Sequence, residues 1–166
     1  MIWTEQPAHV INLDKEPSYK SIRVSLHLRP VGFNPHPKDV ADLKAIIHDV
    51  LKGLEWIHSH NYVHRDLRWP NIIRESHGKV RLIDLENADK EGKVTDLLSH
   101  WPSLDGGFYS KMTDLYLVGQ MMKEYSGLFK IHSTIDREDA AKGIQFIEKL
   151  EAGLYVGDAL NDPWLL

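Results

Sequence analysis

The sequence predicts an α+β fold, mainly helical, with a two-stranded hairpin ahead of its helices. Two patterns carry that expectation. Ile22, Val24, Leu26 and Leu28 alternate strictly, as a strand with one buried face requires. Val40, Leu43, Ile46, Ile47, Val50, Leu51, Leu54 and Ile57 recur at three- and four-residue steps, as one buried helix face requires.

Taken in order, residues 9–14 (HVINLD) and 21–28 (SIRVSLHL) read as the two strands, with Glu16-Pro17-Ser18 as the turn between them. From Arg29 to Pro37 three prolines, Gly32 and Asn34 make a connector. Asp39, just after Pro37, is placed to cap the long helix, which should end near residues 58–61. Two short apolar runs, 71–73 and 80–83, flank a His77-Gly78 turn and read as a second hairpin. Residues 86–110, with Gly92, Pro102 and Gly106-Gly107, read as one long loop, a length usually reserved for function. A second helix is expected from about Thr113 to Tyr125, apolar at Leu115, Val118, Met121, Met122 and Tyr125. A third is expected from about Arg137 to Leu150, with Ala140, Ile144, Ile147 and Leu150 inward, and a short last one over Val156–Asn161.

Composition narrows the function classes. The 166 residues suit one domain, and 42% apolar with 27% charged residues is ordinary globular composition. A net charge of −4 argues against an electrostatic nucleic-acid binder. The chain has no cysteine, which excludes disulfides and thiolate metal sites and suits a reducing, cytoplasmic setting. The start lacks the basic and apolar regions of a secretory signal, and no apolar run approaches the ~20 residues of a membrane helix. Ten histidines occur without an HExxH pair, so they read as scattered surface residues.

The chemistry is concentrated in Val63-His64-Arg65-Asp66-Leu67-Arg68-Trp69-Pro70-Asn71-Ile72-Ile73, between the long helix and the second hairpin. Eighteen residues after Asp66, as that hairpin closes, comes Leu82-Ile83-Asp84-Leu85-Glu86. A lone HRD or IDL carries little. Helix, loop, hairpin and second aspartate in this order and spacing carry much more.

That arrangement resembles the protein-kinase family: HRD-x-x-x-x-N is similar to its catalytic loop, and IDLE stands where the family has D-F-G. Asp114 to Gly119 is similar to the start of the family's central helix, and the tail ALNDPWL to its final A-L-x-H-P-W-L stretch. The RWPN wording is similar to that of divergent kinase-like proteins of fungi. The resemblance spans roughly residues 9–166. It implies a kinase-like large lobe over 34–166, mainly α-helical, and a remnant two-stranded small-lobe hairpin with hinge over 1–33. It implies ATP and magnesium as cofactors. Asp66, Arg68 and Asn71 take the catalytic positions, Asn71 and Asp84 hold the metal, and Ile73 lies under the adenine. Val31, in the hinge, offers its backbone N–H to the base. Asp114 holds the catalytic-loop backbone from below.

The departures are equally plain. Only 38 residues precede Asp39, with no G-x-G-x-x-G, no V-A-I-K lysine and no partner glutamate, which implies an amino-terminally truncated kinase. Glu86 stands where the family has glycine, and the A-P-E motif and its partner arginine are both missing. Three readings therefore stay open. One is phosphoryl transfer from ATP to a protein hydroxyl, of serine/threonine type. Another is a pseudokinase or half-kinase interaction module. The third is a small-molecule phosphotransferase. The hairpin's apolar residues have few local partners, so a homodimer, or a complex with a separate small-lobe protein, is expected through residues 9–33, with neither nucleic acid nor membrane as partner.

Overall fold

Asp39 starts the helical part of the molecule. Its extended backbone lets the carboxylate accept the Asp42 N–H at 2.7 Å, one of the four amides a helix start leaves without a partner. The computed structural model describes residues 12–20, 23–93, 108–130 and 134–166, with side chains described from residue 29 onward except at 130 and 134–136. The elements are β1 (Asn12–Lys20), β2 (Arg23–Arg29), α1 (Val40–Ser59), β3 (Tyr62–Val63), β4 (Ile72–Arg74), β5 (Val80–Leu82), β6 (Asp89–Lys90), α2 (Lys111–Glu124), α3 (Thr134–Glu151) and α4 (Val156–Leu160).

The expected fold class holds at the level of a mostly helical chain with small antiparallel ladders. Three two-stranded sheets pair β1 with β2, β3 with β6 and β4 with β5. The periodic residues of α1 are its buried face: Leu43, Ile46, Ile47, Leu51 and Leu54 have no exposed surface. That face packs on β5, α2 and α4, while α2 lies along α3. Trp164, in the tail, closes the core against Phe146 and Phe129. Among the described residues no helix is long and apolar enough to cross a membrane.

Four expectations need correction. The first strand does not stop at residue 14; β1 runs to Lys20, and Glu16-Pro17-Ser18 lies inside it at a register irregularity between Lys15 and Ser18. Proline lacks an N–H for the ladder, and a bulge tolerates that. The last described pair is Lys20 with Arg23; residues 9–11 and 21–22 lie outside the described part. The stretch from 86 is not loop throughout, because a 3-10 turn (Leu85–Asn87) and β6 occupy its start, with 94–107 outside the described residues.

On α3, Ile144 points outward and is 48% exposed, while Gly143 and Phe146 take inward places beside Ala140, Ile147 and Leu150. A Cβ on Gly143 would lie 2.5 Å from Phe129 Cε1 and 2.9 Å from Trp164 Nε1, so the missing side chain makes room for the two rings. The start of α2 is also earlier than expected. Ser110 caps it in a reciprocal box with Thr113.

Candidate active site

The loop between β3 and β4 carries the candidate chemistry, and its backbone is strained. Arg65 has φ 72° and Asp84, across the β4–β5 hairpin, has φ 61°. A non-glycine residue in the left-handed region costs of order 1–3 kcal/mol and persists only where its surroundings enforce it.

Asp114 enforces the first. It is wholly buried in the opening turn of α2, where one carboxylate oxygen accepts the His64 N–H at 2.8 Å and the other the Arg65 N–H at 3.0 Å. The first oxygen also meets His58 Nε2 at 2.8 Å, from the last turn of α1. A buried carboxylate with three charge-assisted donors is well satisfied. The expectation that Asp114 holds the loop from below thus has its geometry.

His64 joins the loop to the other strained turn. Its Nε2 donates to the Ile83 carbonyl at 3.2 Å, and its Nδ1 accepts weakly from the Asp66 N–H at 3.4 Å. Burial pushes the imidazole pKa down, against the pull of the Asp114, Asp66 and Asp84 charges, so the ring is neutral. Ile83 N–H in turn donates to the Asn71 carbonyl at 2.9 Å, continuing the β4–β5 register in which Ile72 faces Leu82. The backbones around Asp66, Asn71 and Asp84 are therefore tied into one unit.

The side chains differ in state. Asn71, 3% exposed, donates from Nδ2 to the Asp66 carbonyl and to Asp66 Oδ2, both at 2.8 Å. This orientation leaves its Oδ1 as an uncommitted acceptor among the described residues. Asp66 Oδ1 faces Arg68 Nε at 3.1 Å, and the Arg68 side chain is more than half exposed. Asp84 is half-buried and its carboxylate carries no hydrogen bond or ion pair among the described residues.

Magnesium suits this donor set. It prefers hard oxygen ligands, and it is usually held by one or two protein groups together with nucleotide phosphates. Asn71 Oδ1 and the unpaired Asp84 carboxylate are two such groups. No cluster of three or more His, Cys, Asp or Glu among the described residues could hold a metal alone.

The connector that carries Val31 meets β4, which carries Ile73, at Phe33. Phe33 exchanges both backbone hydrogen bonds with Arg74, at 2.9 and 2.7 Å, an isolated antiparallel bridge between the connector and β4. Val31 is 80% exposed, and its N–H makes no hydrogen bond among the described residues. Arg65 points the other way. Its guanidinium lies 3.9 Å from Asp89 of β6 and donates to the Lys93 carbonyl at 3.4 Å, with the Tyr109 ring 6.0 Å away.

Comparison with known proteins gives the same answer as the geometry. The family model for the protein kinase domain matches residues 30–101, which include Asp66, Arg68, Asn71, Ile73 and Asp84. Over that segment the chain is similar to protein kinases. Among its relatives, serine/threonine-protein kinase TAO3 of Xenopus laevis is 31% identical over 91 residues, covering 50% of this chain and 10% of that protein. TAO1-A of the same organism is 30% identical over 91 residues, and Crinkler effector protein 8 of Phytophthora infestans 29% over 112, or 62% of this chain and 19% of the relative. The chain thus spans about a tenth to a fifth of the length of these relatives. Asp114 lies beyond the matched family segment, so its part in the site rests on the structure.

Sequence reading missed three site features. The two-residue β3–β6 ladder is too short to leave a pattern. The neutral, bridging role of His64 depends on Ile83, distant in sequence. The indole of Trp69 reaches α2, which nothing in its neighbours announces.

Proposed function

We propose that the chain is a kinase-like phosphoryl-transfer domain that binds magnesium nucleotide at Asn71 and Asp84 and presents Asp66 to an acceptor hydroxyl, of a protein side chain in the first instance. The observation that carries this reading is the Asp84 carboxylate, without a hydrogen bond or ion pair among the described residues and tied through Ile83 to Asn71 and, through it, to Asp66. A carboxylate left without a cation beside an exacting hydrogen-bond network reads as a ligand awaiting charge.

In this proposal Asp66 Oδ1 takes the acceptor's proton once Arg68 moves from it to the transferring phosphate. The exposed, five-donor guanidinium suits that exchange. Asn71 Nδ2 keeps the Asp66 carboxylate oriented. Bound magnesium would neutralise charge building on the phosphates. Val31 N–H and Ile73 provide one edge and one face for the base. Residues 34–166 form the large lobe in this reading, and 1–33 a hairpin and hinge.

A second reading, an interaction module that binds protein rather than turning over, is favoured by Val31 and Phe33, apolar and 80% and 77% exposed. A homodimer, or a partner seated on residues 9–33, belongs to it.

Titration of the purified chain with ATP and magnesium separates the two. The first reading expects a saturable thermal shift at millimolar nucleotide that needs magnesium and disappears in Asp84→Ala. A shift identical in that variant, or none at all, favours the module.

A further inference from the structure

We propose that Trp69 is a positioning residue, the second of two attachments by which α2 holds the loop carrying Asp66 and Asn71. The proposal rests on reading that loop as a phosphoryl-transfer site, and deepens it.

Trp69 Nε1 donates to the Met121 carbonyl at 3.0 Å in a buried contact. Met121 lies in the last turn of α2, where carbonyls have no partner further along the helix. The Tyr125 N–H, which would have reached it in a longer helix, turns instead to Met122 and Lys123. The indole therefore fills an acceptor that the helix end leaves open. Its ring, 6% exposed, meets Tyr125 edge-on with centroids 4.7 Å apart. The Tyr125 hydroxyl lies 3.2 Å from His36 Nδ1, so the same contact reaches the connector.

The two attachments bracket the reactive residues. Asp114 takes the amides of His64 and Arg65, immediately before Asp66, and Trp69 delivers its N–H after it. Asp114 and Met121 are separated by about 10 Å along α2, at the helical rise of ~1.5 Å per residue. Only Asp66, Leu67 and Arg68 lie between the two holding points in sequence. Trp69 also opens the 3-10 turn that ends at Asn71, and its own carbonyl accepts the Ile72 N–H. Held by α2 at Asp114 alone, the loop would keep its ties to Ile83 but could shift against α2 on its Asn71 side and carry the carboxylate of Asp66 with it. The second attachment restricts that shift. A displacement of about 1 Å in such a group is enough to cost ~100-fold in a reaction that depends on orientation.

Trp69→Phe keeps an aromatic ring against Tyr125 and removes the donor. Amide hydrogen exchange, followed by mass spectrometry on the whole chain, should accelerate about fivefold within residues 64–71, the equivalent of one hydrogen bond, while the core of α1 is unchanged. Affinity for magnesium ADP should fall several-fold in the same variant. Exchange that stays at the wild-type rate in the loop, or rises equally everywhere, overturns the proposal, as does loosening without loss of nucleotide affinity. If the wild-type chain binds no magnesium ADP, the phosphoryl-transfer reading fails, and the attachment stands or falls on the exchange result alone. Should the variant not fold, NMR of the wild-type Trp69 indole proton decides. Strong protection supports the bond, and exchange at the rate of free indole overturns it.

Discussion

The loop bearing Asp66 and the turn bearing Asp84 pass through the same left-handed region of backbone space, yet they are held in opposite ways. At Arg65 the strain is met by Asp114, and the neighbouring Asp66 carboxylate has Asn71 on one oxygen and Arg68 on the other. At Asp84 the backbone is similarly bent, but the side chain makes no hydrogen bond or ion pair among the described residues. The first region is built to be already correct in the resting protein. The second, in the function proposed above, takes its positive charge from a bound ligand. Stability and ligand response should therefore separate along the chain, and substitutions can test whether they do.

The largest effect should come from Asp114→Ala. It leaves two backbone amides and His58 Nε2 without their shared acceptor, in a place no water easily reaches. A loss of about 3 kcal/mol is expected, and with it a drop in Tm of about 6–12 °C in a domain of this size. Calorimetry on the variant checks this. A Tm within a degree or two of wild type would mean that the loop's shape does not depend on α2.

A smaller effect should come from acid, through the imidazole that joins the two regions. His64 has its pKa depressed below the ordinary 6.5 by burial. The unfolded chain therefore takes up a proton there before the folded one does, and stability rises with pH across that interval. His64's contribution is complete above pH 6.5 and declines as pH falls below it. NMR titration should find this ring still neutral at pH 6.5, where a free histidine is half charged. Half-titration at or above that pH would contradict the neutral bridge between Asp66 N–H and the Ile83 carbonyl.

The smallest effect on stability should come from Asp84→Asn. The substitution removes a charge that has no partner among the described residues, and asparagine tolerates positive φ well. Tm should stay within about 2 °C of wild type, or rise, while any magnesium-dependent nucleotide shift is lost. A clear destabilisation would show that Asp84 is structural and would erase the contrast with Asp66.

Much of this site was legible in the chain because its information is local. HRDLRWPN and IDL sit either side of a short hairpin, and the periodicity from Val40 to Ile57 sets the helix that leads into it. What escaped depends on contacts made far along the chain. The phase of α3 is an instance. Reading apolar residues as inward selected Ile144, but the buried stripe is centred on Gly143, whose lack of a side chain admits Phe129 and Trp164. Glycine carries no hydropathy signal strong enough to mark that. Pro17 misled for a related reason. As a turn former it suggested a reversal at 16–18, whereas β1 accommodates it where the ladder slips register. The partnership of Trp69 with Met121 could be read only once α2 and the loop were both in place.

The seam between the connector and β4 leaves room for one hydrogen atom. Any Cβ at position 32 would fall 2.6 Å from the Arg74 carbonyl oxygen and 3.1 Å from Ile73 Cβ, both on the strand that Phe33 grips. In a saturation library the consequence is a sharp change in tolerance over three consecutive codons. Positions 31 and 33, whose side chains stand in solvent, should accept most of the genetic alphabet without loss of fold. Position 32 should accept a single letter, because every other choice wedges the connector off the strand and takes the surface beneath Val31 with it.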